Sequence, residues 1–132
     1  MNIIVCIDDN CGLLFNKRRQ SRDSKVMEDI WKMADKLWIH SFSEKLLEND
    51  KDNVKVDDMF LEKAEEGEFC FVENKHLSQY EGKIEKLIVY KWNRKYPADF
   101  RLDLDLSKWQ MESQEEFAGS SHDKITKEIY IK

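Results

Sequence analysis

The sequence predicts an α/β fold: a mixed sheet, its first strands parallel and flanked by helices, closed by an antiparallel C-terminal strand pair. Over the first two-thirds of the 132 residues, short apolar runs alternate with segments of helical spacing, whereas the last third holds strand patterns only. Gly is scarce (four) and Pro scarcer (one), which suits regular elements joined by short turns. The length fits a single domain, 1–132, since domains commonly run to about 100–150 residues.

Asn2 to Ile7 is an apolar, β-branched run that predicts a buried strand, and Asp8-Asp9-Asn10-Cys11-Gly12 predicts the turn after it. Val26, Met27, Ile30, Trp31 and Ala34 share one face of a helix from Asp23 to Lys36, with Ser21 and Asp23 as alternative N-caps. Leu37 to Phe42 predicts a strand. Ser41 with Glu44 then forms a capping-box pattern for a short helix through Leu47. The charged stretch 48–57 predicts a mobile loop. Asp57 or Asp58 caps a helix through Glu66, which Gly67 stops. Phe69–Val72 and Lys86–Trp92 predict strands on either side of a helical turn from Lys75 to about Gly82. Phe100, Leu102, Leu104 and Leu106 alternate with polar residues, the period of a strand with one wet face. Trp109–Phe117 and Ile125–Ile131 predict an antiparallel pair joined through Ala118-Gly119-Ser120-Ser121.

An apolar fraction of 41%, with seven Phe, four Tyr and four Trp, is enough for a core, and the tryptophans are assigned to it. The net charge of −5 repels phosphate backbones, so no nucleic-acid partner is expected. No apolar run approaches the roughly 20 residues of a membrane span, and the N-terminus has no signal-peptide pattern. Three cysteines without a Cys-x-x-Cys predict free thiols, with Cys6 and Cys70 buried, and a reducing cytoplasmic setting.

The chemistry-bearing segments are few. No Gly-x-Gly-x-x-Gly, P-loop or Gly-x-Ser-x-Gly occurs, and no catalytic residue, cofactor or metal set is assigned. Asp8-Asp9-Asn10 reads as an acidic turn rather than a cation site. Arg18, Arg19 and Arg22 cluster just before a helix N-terminus: they read either as a solvated basic loop pairing with acids elsewhere, or as a site where guanidiniums and the helix dipole together hold phosphate or carboxylate. Arg94, with Tyr96, follows another strand and is assigned to the same anion site by the rule that ligands favour one sheet edge. Ser120-Ser121-His122-Asp123 reads as a polar hairpin turn, because a catalytic triad needs groups converging from separate segments.

In order of elements the chain resembles the dihydrofolate reductases. The resemblance is carried by Ile3–Ile7, by Asp23 opening a helix, and by Phe71-Val72-Glu73-Asn74 followed by Glu85–Tyr90. Trp109, Glu116-Phe117, Ser121-His122 and Glu128-Ile129 extend it through the C-terminal half. It implies the reductase fold, with Asp23 matching the acid that holds a pteridine ring. In that family a Gly-Gly pair lets the backbone approach the cofactor pyrophosphate, where this chain has Glu73-Asn74. The family's Gly-Arg-x-Thr gives way to His40-Ser41-Phe42-Ser43, and the segment between these strands is too short for an adenosine-binding subdomain. The resemblance therefore implies the fold without NADPH-dependent reduction. The chain also resembles a small uncharacterised bacterial family that sometimes carries the label ribonuclease Z. That activity needs a two-zinc site built on a His-x-His-x-Asp-His run, whereas the three histidines here (His40, His76, His122) lie more than 30 residues apart.

Three functions fit these residues. The first is a non-catalytic binding domain for a small anion, held by Arg18, Arg19, Arg22 and Arg94. The second is an enzyme using Asp23 or Glu73 as a pocket acid. The third is an interaction module whose C-terminal sheet pairs with a partner or with a second copy in a homodimer.

Overall fold

In β1 (Asn2–Ile7) the side chains of Ile3, Val5 and Ile7 point to one side and Ile4 to the other, and all four are buried. A strand apolar on both faces is stable only in the middle of a covered sheet, and β1 holds that place. The computed structural model describes residues 1–132. Along the chain follow β2 (Gly12–Phe15), β3 (Arg18–Arg19), α1 (Ser24–Met33), β4 (Leu37–Ile39), β5 (Val54–Val56) and α2 (Phe60–Lys63). After these come β6 (Phe69–Phe71), β7 (Lys86–Lys91), β8 (Phe100–Arg101), β9 (Gln110–Phe117) and β10 (Ile125–Ile131).

Seven strands form one sheet in the order β5-β4-β6-β1-β7-β10-β9. The first five run parallel, while β10 joins β7 antiparallel and β9 joins β10 antiparallel. The mixed sheet with its antiparallel C-terminal pair is thus present. Helix α1 lays Val26 and Ile30 on the face that carries Ile4, Ile88 and Tyr90. The opposite face, with Ile3, Val5, Leu87 and Val89, is covered by Phe60 and Leu61 of α2 and by Leu102, Leu104 and Trp109. A polar link ties α1 to its face: Asp29 accepts from the Tyr90 hydroxyl (2.6 Å) and from the Lys127 ammonium (2.8 Å).

Several elements differ from expectation for identifiable reasons. Asn16 and Lys17 have φ of 52° and 63°, so they form the tight turn of a β2–β3 hairpin where the residues suggest only a basic loop. A lysine in left-handed backbone is unusual, which is why the turn is hidden. Asp23 is the N-cap of α1, and the helix ends at Met33 because β4 must begin at Leu37. The capping box at Ser41 does not form. His40 Nδ1 instead accepts from Phe42 N and starts a single 3₁₀ turn, Ser41–Ser43. The stretch 48–57 is ordered into 3₁₀ turns and β5, whose pairing with β4 outweighs its polarity. Only Phe100 and Arg101 of the alternating run form a ladder, although Leu102 and Leu104 do face the core. Trp92 and Trp109 are core residues; Trp31 and Trp38 are half-exposed at its margin.

Candidate functional site

Because β1, β6 and β7 are parallel, their C-terminal ends lie along one edge of the sheet, and α1 begins there too. A cleft at this edge is lined by Cys6, Arg19, Ser21, Asp23, Glu73 and Trp92, among others. It is narrow, about 20 Å³, which is room for one water. What fills it is the chain's own polar chemistry.

Two buried carboxylates organise the surrounding loops. Asp8, which follows β1, accepts from the backbone N–H of Asn10, Gly12 and Tyr96 at 2.7–3.0 Å and from Gln20 Nε2. Burial pushes its carboxyl up, but the donors from Gly12, Tyr96, Asn10 and Gln20 outweigh this and hold it below its ordinary value. With its acceptors thus occupied, Asp8 is a structural turn residue. Asp23 is the second carboxylate, with no exposed side-chain surface. It accepts from the backbone N–H of Lys25, Ser120 and Ser121 at 2.9 Å each, and its Oδ2 lies 3.0 Å from His122 Nδ1. Burial again opposes the charge, but Ser120, His122, Ser121 and Lys25 hold the carboxyl far below the carboxylate range. The β9–β10 loop is wrapped so closely around this group that a Cβ on Gly119 would stand 2.4 Å from Asp23 Oδ2.

His122, 4% exposed, is the residue that the hairpin reading missed. Its ring stacks on Trp92 (centroids 4.7 Å apart, planes at 20°), and its Nε2 lies 3.1 Å from both the Ser21 hydroxyl and the Tyr96 hydroxyl. Four side chains, from the stretch before α1 and the stretch after β7, therefore meet at one imidazole. The only sequence signal was a histidine beside residues matched to the end of a reductase-like strand pair; the convergence itself is tertiary.

Glu73, just after β6, faces the cleft from the other side. Both its oxygens accept from Arg19, at 2.7 and 2.8 Å, and Ser43 Oγ donates to Oε1 at 2.7 Å. The Arg19 guanidinium also lies over the Phe42 ring, 5.5 Å from its centroid. Arg19 thus already holds a carboxylate supplied by the chain. Arg22 is exposed and has no ion-pair partner; with Arg19, Lys45, Leu46, Glu48 and Asn49 it rims an adjoining groove of about 270 Å³. Arg18 lies on the outer side of the β2–β3 hairpin, beside Phe15 and Tyr96, and Arg94 lines none of these clefts. The structure brings Arg19, Arg22, Asp23 and Glu73 together around one edge and leaves Arg18 and Arg94 outside it.

The three thiols are unpaired. Burial, then the Glu73 and Asp23 charges, push the Cys6 thiol well above its ordinary range, and burial raises Cys70 to about 12, so neither is a ready thiolate. No group of three or more His, Cys, Asp or Glu side chains is arranged to hold a metal ion. No helix is long and apolar enough to cross a membrane.

The architecture is that of the dihydrofolate reductases. Dihydrofolate reductase from Enterococcus faecalis, in a structure complexed with NADP(H) and RAB-propyl, matches with a TM-score of 0.71. The match covers 98% of this chain and 94% of that one, at 11% sequence identity. At that identity the likeness shows the fold alone. No family model matches the sequence, and no curated protein does.

Proposed function

We propose that the chain is a ligand-binding domain in which the reductase fold holds a small anion, phosphate or carboxylate, beside the 17–23 segment. The observation that carries this reading is the groove between Arg19, Arg22 and Lys45. Two of its three cations, Arg22 and Lys45, have no carboxylate partner, and the third, Arg19, is held by an internal one. In a protein of net charge −5, unpaired cations converging on one concavity favour an anion of small size. Arg19 presents its fork to Glu73 in the bidentate geometry that it would offer to a ligand carboxylate or phosphate. Glu73 thus acts as a stand-in anion that a tighter ligand displaces.

The same carboxylate argues against a pyridine dinucleotide. The matched reductase was solved with NADP(H). Here the residues after β6 are Glu73 and Asn74, with the Glu73 carboxylate fixed by Arg19 and Ser43 at the place where the family's glycines leave room for phosphates. The residues do not fit that cofactor. The alternative of an enzyme with Asp23 or Glu73 as its acid is favoured by one observation, that both carboxylates line the cleft; against it, each is already engaged, Asp23 by four donors and Glu73 by Arg19.

Thermal shift against phosphate, pyrophosphate, citrate and NADPH at matched ionic strength tests the reading. A ligand at about 100 times its Kd adds roughly 2.7 kcal/mol of apparent stability. The expected result is a rise with a small anion, lost in the Arg22→Ala/Lys45→Ala double variant and larger in Glu73→Gln. No rise with any small anion, or a rise that survives in the double variant, overturns the site, and a rise with NADPH overturns the exclusion of the dinucleotide.

A further inference from the structure

Three groups from two parts of the chain stand in line at the edge of the cleft. Ser21 lies between β3 and α1, Asp23 caps α1, and His122 comes from the β9–β10 loop almost a hundred residues later. Ser21 Oγ is 3.1 Å from His122 Nε2, and His122 Nδ1 is 3.0 Å from Asp23 Oδ2. The base and its orienting carboxylate are 2% and 0% exposed, whereas Ser21 is half-buried and lines the cleft. We propose that Ser21 is a nucleophile toward short-chain acyl esters, with His122 as its general base and Asp23 as the carboxylate that orients the imidazole. This goes beyond anion binding and does not rest on it.

The arrangement meets the geometric conditions for such a site: nucleophile to base within hydrogen-bond reach, and base to orienting group likewise. Asp23 is fixed by three backbone N–H groups, so it has one direction in which to receive the imidazole Nδ1–H, and this leaves the Nε2 lone pair facing the hydroxyls. Stacking on Trp92 prevents the ring from tilting away. As Ser21 Oγ bonds to the acyl carbon, its O–H bond breaks and the proton passes to Nε2. Collapse of the tetrahedral species breaks the bond to the leaving alcohol, which takes that proton. Water then attacks the acyl-serine by the same route, releasing the carboxylic acid and restoring the hydroxyl. Arg22, on the same cleft and without a carboxylate partner, is the cation available to the transient oxyanion. The cleft itself has room for one water, so the ester meets Ser21 at the cleft's mouth, where the half-buried hydroxyl favours a small acyl group such as acetyl. Tyr96 shares Nε2 and keeps the imidazole in place when Ser21 turns toward the acyl carbon; it is a positioning residue.

The test uses the full chain with p-nitrophenyl acetate and, separately, diisopropyl fluorophosphate, followed by peptide mass mapping. The expected result is modification at Ser21 and p-nitrophenolate release that falls about a hundred-fold or more in both Ser21→Ala and His122→Gln. The wild-type rate should rise with pH through a single ionisation, a dependence absent from His122→Gln. Modification at Tyr96 or a lysine instead of Ser21, no modification at all, or unchanged release by Ser21→Ala overturns the proposal. Should His122→Gln not fold, Ser21→Ala decides the matter, since it removes one partly exposed hydroxyl and leaves the Asp23–His122 contact intact.

Discussion

Asp23 ties two distant parts of this structure together, because one buried carboxylate satisfies backbone donors on both α1 and the β9–β10 loop. Removing its charge leaves those donors with a poorer partner, so Asp23→Asn should cost about 2–3 kcal/mol in urea denaturation near pH 7. The pH dependence follows from the lowered carboxyl. A carboxyl depressed in the folded state contributes stability above its unfolded value, about 3.9, and loses that contribution as pH falls further. The stability difference between wild type and Asp23→Asn should therefore narrow below about pH 4, and a difference that stays constant to pH 2.5 would contradict this account. Gly119→Ala offers a second check. Its Cβ would meet Asp23 Oδ2 at 2.4 Å and the His122 carbonyl oxygen at 2.9 Å, neither of which can move without loosening the loop. A loss of about 1–3 kcal/mol is expected, read as a lowered Tm. Asp23 was legible as an acid opening a helix, but its partners were not, because Ser120, Ser121 and His122 are adjacent to it only after the sheet has formed.

At the scale of elements, the β2–β3 hairpin shows local preference yielding to tertiary need. Lys17 sits at φ 63°, a region that costs an ordinary L-residue roughly 1–2 kcal/mol. The strain persists because the turn carries Arg19 back to Glu73, closing a bidentate pair across 54 residues of chain. Lys17→Gly should raise stability by about 1 kcal/mol, seen as a higher urea midpoint with an unchanged slope. The β4–β5 region makes the same point. Its 3₁₀ turns and short strand were hidden by polar residues, and Val54 to Val56 become a strand because β4 leaves an edge to be paired. Conversely, the alternation from Phe100 to Leu106 correctly marked which side chains are buried but overstated the ladder, since periodicity reports burial rather than backbone pairing.

For the molecule as a whole, stability depends on the helix α1 face remaining attached to the sheet, and there a single ionic contact is exposed to attack. Lys127 is 8% exposed and pairs with Asp29 at 2.8 Å, with Glu115 a more distant second partner at 3.6 Å. Deleting Asp29 leaves a buried ammonium short of its partner and a Tyr90 hydroxyl without an acceptor, so Asp29→Ala should cost about 3 kcal/mol or more by chemical denaturation. A loss under about 1 kcal/mol would show that Glu115 takes over. By itself the sequence determined the mixed sheet, its parallel-then-antiparallel order and the two-faced apolar strands at its centre, because hydrophobic period and element order act locally and can be read from one chain. It also marked Arg19, Arg22, Asp23 and Glu73 by residue type. Only the tertiary structure decided that Arg19 meets Glu73, that Arg94 stands apart, and that Ser21, Tyr96 and Asp23 converge on His122. Those contacts join segments 26 to 101 residues apart, and their geometry is set by the packing of the sheet rather than by any local preference.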